Sequence, residues 1–159
     1  MKNKMNHEAF LQQTIALAVK NTKIGGGPFA AIICHNDKII ASSANAVTLN
    51  LDPTAHAEVL AIRSACQTLQ DFQLNDCVLY SSCEPCPMCL GAIYWARLKA
   101  VYFACNREDA AIAGFDDSFI YDEVPKDPEN RRIMMRQISL DSALHPFSAW
   151  LAHENRRLY

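Results

Sequence analysis

Long hydrophobic runs are missing from this chain of 159 residues. The longest unbroken apolar stretches, Phe29–Cys34 among them, fall far short of the roughly 20 residues that a bilayer-spanning helix needs. An excess of one charge is missing too. Fifteen Lys and Arg stand against 17 Asp and Glu, for a net charge of −2 and a pI near 6.2. No global basic field points to nucleic acid or an anionic membrane as the main partner. The start, Met1-Lys2-Asn3-Lys4-Met5-Asn6, has no apolar stretch behind its lysines, so no signal peptide is expected and the cytoplasm is the expected compartment. Glycine is scarce: three of the five glycines are Gly25, Gly26 and Gly27. That run follows a helical pattern and enters a strand, the reverse of a phosphate-binding turn, so it reads as a helix stop or as backbone that comes close to a neighbour. The even cysteine count of a secreted disulfide framework is also lacking. There are seven, which suits a reducing cytoplasm where clustered cysteines bind metal or do redox chemistry. Half the residues are hydrophobic and 20% are charged, enough for one soluble domain with a real core.

The periodicity predicts an α/β fold. A first helix runs between Asn6 and Asn21, capped by Asn6. Phe29–Cys34 and Lys38–Ser43 form a hairpin across His35-Asn36-Asp37. Asn45–Thr54 reads as a loop, Ala55–Leu69 as a helix, Cys77–Ser82 as a strand, Pro87–Ala96 as a helix and Ala100–Cys105 as a strand. This alternation predicts parallel neighbours joined by helices. Phe115–Val124 is acidic and aromatic, Arg136–Leu140 suggests a fifth strand, and Pro146–Leu158 a last helix opening at a proline.

His56-Ala57-Glu58 and Pro85-Cys86-Pro87-Met88-Cys89 each lie between a loop and a helix, so each can present side chains from a helix start. One imidazole and two thiolates, from His56, Cys86 and Cys89, form a donor set suited to Zn²⁺. Three protein ligands leave the fourth tetrahedral position open for water, the arrangement of a catalytic site. Glu58 stands two residues from His56, unsuited to share the metal from one helical face but able to act as general base and then general acid on the water. A lone Cys-x-x-Cys also fits a redox pair, and a lone His-Ala-Glu is usually surface. Their joint occurrence, each at a helix start, favours metal. Cys83 is the one candidate for a fourth ligand and reads otherwise as a core thiol, as do Cys34, Cys66, Cys77 and Cys105.

His-x-Glu followed by Pro-Cys-x-x-Cys matches the known signature of the zinc nucleobase deaminases. The runs Asp52-Pro53-Thr54-Ala55-His56-Ala57-Glu58 and Leu79–Cys89 resemble the cytidine-deaminase-fold family, in its branch with one His and two Cys ligands. Within it, Gly25-Gly26-Gly27-Pro28-Phe29, the segment Gly114–Tyr121 and a chain ending in Tyr159 look like the small bacterial guanine deaminases. The resemblance implies a three-layer α/β sandwich with a mixed five-stranded sheet covered by helices. It implies a single deaminase domain over 1–159, with a zinc-binding core of about 6–115 and a C-terminal segment, 116–159, that completes the active site. It also implies a homodimer in which that segment is exchanged between subunits.

The activity implied is hydrolysis of guanine to xanthine and ammonia, with Glu58 moving the protons. By the same resemblance, Asn45 hydrogen-bonds the purine edge, the Ala57 backbone N–H faces it, and Asp117 accepts from the ring N–H and amino group. Phe29 and Trp95 pack on the ring, and Tyr159 closes the site. The residues also admit plainer readings: Asn45 as a loop residue, Phe29 and Trp95 as core aromatics, Asp117 as a helix cap, Tyr159 as a chain end. The rivals are a tRNA adenosine deaminase of the same fold, for which Arg131-Arg132 and Arg156-Arg157 are the only basic pairs on offer, a deaminase of free pyrimidines or nucleotides, and a zinc-stabilised module without catalysis.

Overall fold

The computed structural model describes residues 6–159. The run judged above for a signal peptide, residues 1–5, lies outside them. Helix α1 (His7–Thr22) begins where expected, and the Asn6 side chain accepts the Ala9 N–H at 3.1 Å. Strands β1 (Ala30–His35) and β2 (Lys38–Ala44) form an antiparallel hairpin. Its tip is Asn36 and Asp37, with φ of 49° and 61°, the left-handed turn that suits the twist of the flanking strands and that Asn and Asp tolerate. The segment read as a loop holds a single helical turn, α2 (Val47–Asn50). Then follow α3 (Ala57–Leu69), β3 (Cys77–Cys83), α4 (Pro87–Trp95), β4 (Ala100–Cys105) and α5 (Arg107–Ile112).

The sheet has four strands among the described residues, in the order β2-β1-β3-β4. Two expectations need correction here. Residues 136–140 are not a fifth strand: they pair with no other strand among the described residues, and extended backbone without a ladder is not a strand. Parallel pairing is confined to β3 and β4, because β1 sits between β2 and β3 and runs antiparallel to both. The mixed character of the sheet stands.

β3 is buried along its whole length, and its side chains alternate between two cores. Cys77 and Leu79 face α3 and α4, with Ala31, Ile33, Ala61 and Ala65. Val78 and Tyr80 face α1, packed by Phe10 and Leu11. The small residues Ala57, Ala61 and Ala65 bring α3 close to the sheet. By the same alternation Ser81 falls on the α3 side.

Cys105 is not the core thiol expected: it ends β4, which forms one margin of the described sheet, and it is exposed. Cys34 and Cys77 are buried as expected, Cys66 partly so, and all seven cysteines are free thiols.

The chain divides into two compact units, one reaching to Asp117 and the other spanning Ser118–Tyr159. The second contains α6 (Ser118–Glu123), a 3₁₀ turn at Pro128–Asn130 and α7 (His145–Ala152). Glu123 organises it, accepting from Lys126 Nζ at 2.6 Å and from the Arg132 N–H at 2.7 Å.

Candidate metal and active site

Two helix starts meet at the site. His56 is the N-cap of α3 and Cys86 the N-cap of α4, both with extended backbone. Pro87 opens α4, where its missing N–H costs no hydrogen bond, and Cys89 follows within the first turn. His56, Cys86 and Cys89 bring their ligand atoms within 4.8 Å of one another. His56 Nδ1 lies 3.5 Å from each sulfur. Zn–S and Zn–N bonds of ordinary length at a tetrahedral angle set sulfur and nitrogen about 3.6 Å apart, so the donor set fits zinc.

The electrostatics fit as well. The Cys86 thiol is drawn down to about 4, first by its hydrogen bond with Cys89 and then by His56. His56 is raised, chiefly by that contact with Cys86. Cys89 is pushed up by Cys86 and by burial. Two thiols that share a hydrogen bond give up a first proton easily and resist losing a second until a cation compensates the charge. Cys83 stands outside this group: its Sγ donates to the Asn106 carbonyl at 3.4 Å, and burial pushes its thiol up to about 11. Among the described residues the group of donors close enough to share a metal ion therefore has three members.

Glu58 lies on the buried face of α3, where Ser81 Oγ donates to Oε1 at 3.0 Å and Cys89 Sγ to Oε2 at 3.4 Å. Burial raises its carboxyl above the ordinary range, and its own backbone N–H, then Ser81 and Cys89, oppose the rise. An acid poised in this way can both take and return a proton.

The loop after β2 runs alongside. The Ala46 N–H donates to the Ala55 carbonyl at 2.9 Å, which places Asn45 beside the entry to His56. Asn45 is buried, its N–H bonded to the Phe29 carbonyl at 2.9 Å. Phe29 meets Phe115 edge to face with centroids 4.9 Å apart. The Ala57 N–H opens α3, among the four amides that a helix leaves without an intrahelical acceptor. Asp117 is half-buried, and its carboxyl is raised by burial and next by the charge of Cys86. Trp95 ends α4 and is 65% exposed. Tyr159 belongs to the second unit and is exposed.

The sequence reading missed two side chains. Ser81 carries no motif of its own, although strand alternation aims it at the face of α3 that bears Glu58. Asn21 carries no signal beyond its place at a helix end. The sequence reading also missed α5, whose signal is Asn106 three residues before Asp109: each side chain accepts the other's backbone N–H.

Residues 4–105 match the family model described as the cytidine and deoxycytidylate deaminase zinc-binding region. The chain belongs to this family. It is 56% identical to the guanine deaminase of Bacillus subtilis over 98% of this chain and 100% of that protein. The crystal structure of that enzyme superposes with a TM-score of 0.95 over 98% of this chain and 99% of the other. A guanine deaminase from Nitrosomonas europaea is 32% identical, with a TM-score of 0.67, over 77% of this chain and 68% of that one. A tRNA-specific adenosine deaminase of Aquifex aeolicus is 40% identical over 63% of this chain and 66% of its own length.

Proposed function

We propose that the chain is a guanine deaminase that hydrolyses guanine to xanthine and ammonia. The observation that carries the substrate is the end-to-end match to the Bacillus subtilis enzyme, C-terminal unit included. The tRNA-specific relative matches over less of the chain, and the net charge of −2 offers no cationic field for an RNA arm.

Zinc held by His56, Cys86 and Cys89 supplies the Lewis acidity that makes water a nucleophile at neutral pH. Glu58 supplies the proton transfers: its carboxylate takes a proton from the attacking water, returns it to the ring nitrogen beside C2, and serves again as C2 loses its amine. One water enters, one ammonia leaves, and the carboxylate is regenerated. Burial against Ser81 fits Glu58 to this task, because it brings the two protonation states closer in energy.

The base is bound by the groups around this pair. Asn45 Oδ1 accepts the Val47 N–H at 3.2 Å, so its amide N–H₂ is left to donate to the purine edge. The Ala57 N–H opens α3 beside His56, and Asp117 accepts from the ring N–H and the amine. Phe29 and Trp95 pack on the faces of the ring, and Tyr159 closes the site.

Two features support a homodimer in which the C-terminal segment is exchanged to complete one domain. Helix α4 is apolar almost all round, a composition suited to burial, yet Leu90, Tyr94 and Trp95 are exposed. In the second unit α7 leaves Phe147 and Leu151 exposed. No helix among the described residues is long and apolar enough to cross a membrane, and free thiols are stable in the cytoplasm we assign.

Zinc-loaded protein incubated with guanine, cytosine, cytidine, adenine or a tRNA anticodon stem-loop tests the activity. Xanthine absorbance and ammonia from guanine alone are expected. No conversion of guanine at one zinc per chain refutes the proposal, and inosine formed in the stem-loop favours the tRNA reading. Oligomeric mass and activity, with and without the residues after His145, test the exchange.

A further inference from the structure

The glycine run and Asn21 have no part in the chemistry described, yet they are built around the proposed base-binding asparagine. Asn21 is buried at the end of α1. Its Nδ2 donates to the Gly27 carbonyl and to the Asn45 carbonyl, each at 2.8 Å. The chain doubles back through the Gly26 N–H, which donates to the Asn21 carbonyl at 3.1 Å. A Cβ on Gly26 would collide with the Asn21 amide, and one on Gly27 would lie 2.8 Å from Asn45 Oδ1. The two glycines are thus the space into which two asparagine side chains fit.

We infer that Asn21, seated by Gly26 and Gly27, is a positioning residue that sets the backbone and side-chain direction of Asn45 toward the purine. One amide bridging a buried and a partly buried carbonyl fixes the loop after β2 to the end of α1, and Gly27 bounds the space in which the Asn45 carboxamide can turn. The inference rests on Asn45 binding the base.

The test is steady-state deamination of guanine by the zinc-loaded full chain, with zinc content and thermal midpoint measured for each variant. Asn21→Ala is expected to raise KM about tenfold, with kcat within about twofold and zinc unchanged, the scale of losing the donor to the buried Asn45 carbonyl and the partly buried Gly27 carbonyl. In an Asn45→Ala background the same substitution is expected to alter kcat/KM less than about twofold, because the residue it positions is gone. Gly27→Ala, which leaves Asn21 intact, is expected to raise KM in the same way, and it decides the matter if Asn21→Ala does not fold. A purely structural Asn21 would lower the thermal midpoint while the KM of the folded enzyme stayed put; that result overturns the inference. So does an equal cost of Asn21→Ala with and without Asn45, or an unchanged KM in Gly27→Ala. If Asn45→Ala itself leaves guanine kinetics unchanged, the base-binding reading fails and takes this inference with it.

Discussion

Ser81→Ala removes one hydroxyl from the centre of the sheet and leaves every proposed zinc ligand in place. Ser81 is 1% exposed and Glu58 6%, so no water replaces the lost donor at little cost. The bond is 3.0 Å to Oε1; of the other groups on the carboxyl, the Glu58 backbone N–H stays, and Cys89 Sγ, 3.4 Å from Oε2, no longer donates once it is a thiolate. A hydrogen bond to a charged group is worth about 1.5–3 kcal/mol. The proposed base, Glu58, acts only as a carboxylate, which is the form Ser81 stabilises. Taking about 2 kcal/mol as the loss, the active form becomes harder to reach by about thirtyfold in the acidic range. The sign follows directly: removing a donor to the carboxylate raises the Glu58 pKa further, so the acid limb of the kcat/KM profile moves to higher pH. Stability changes less than rate, because the carboxyl can stay protonated in the folded chain. The assay is a pH profile of guanine deamination with zinc content checked at each point. A profile that superposes on the wild type, with kcat within about twofold, would refute the reasoning.

Four further outcomes are expected. Glu58→Gln retains one zinc per chain and loses about 10²–10⁴ in kcat, checked by metal analysis and ammonia release. Chelation of the metal lowers the thermal midpoint, because a ligand at a thousandfold over its Kd stabilises the folded state by about 4 kcal/mol; an unchanged midpoint on removal of bound zinc counts against the His56–Cys86–Cys89 site. Burial pushes Cys34 from 9.0 to about 11 and Tyr80 from 10.0 to about 12. The folded chain holds those protons longer than the unfolded one, so this stability is full below pH 9 and is lost progressively toward pH 12, to be read from denaturant midpoints. Asp117→Ala raises KM for guanine while zinc content stays intact; unchanged kinetics would remove Asp117 from the base-binding set.

The features legible in the chain were local ones. An N-cap residue, a proline at the first helical position and an Asn-Asp turn act within a few residues, so α1, α4 and the β1–β2 hairpin begin and turn where the pattern predicts. The His56–Cys86–Cys89 group that could hold a metal was legible for the same reason, since two short motifs at helix starts carry all three side chains. Strand order was not legible. Helices between strands suggest parallel neighbours, but a hairpin brings β1 back into the middle of the sheet, and no local signal says which edge of the hairpin meets β3. Nor was the exposure of Cys105, which depends on β4 having no strand beyond it among the described residues.

The division at the active site has the same cause. The grouping of His56, Glu58, Cys86 and Cys89, and with it the proposed metal-assisted chemistry, follows from residue types at short spacing, because a helix start converts spacing into direction. Ser81 against Glu58 and Asn21 against Asn45 join residues 23 and 24 positions apart. Only the packing of α3 on β3, and of the end of α1 on the loop after β2, brings those partners within a hydrogen bond, and on the proposed mechanism that packing tunes the carboxylate and orients the asparagine.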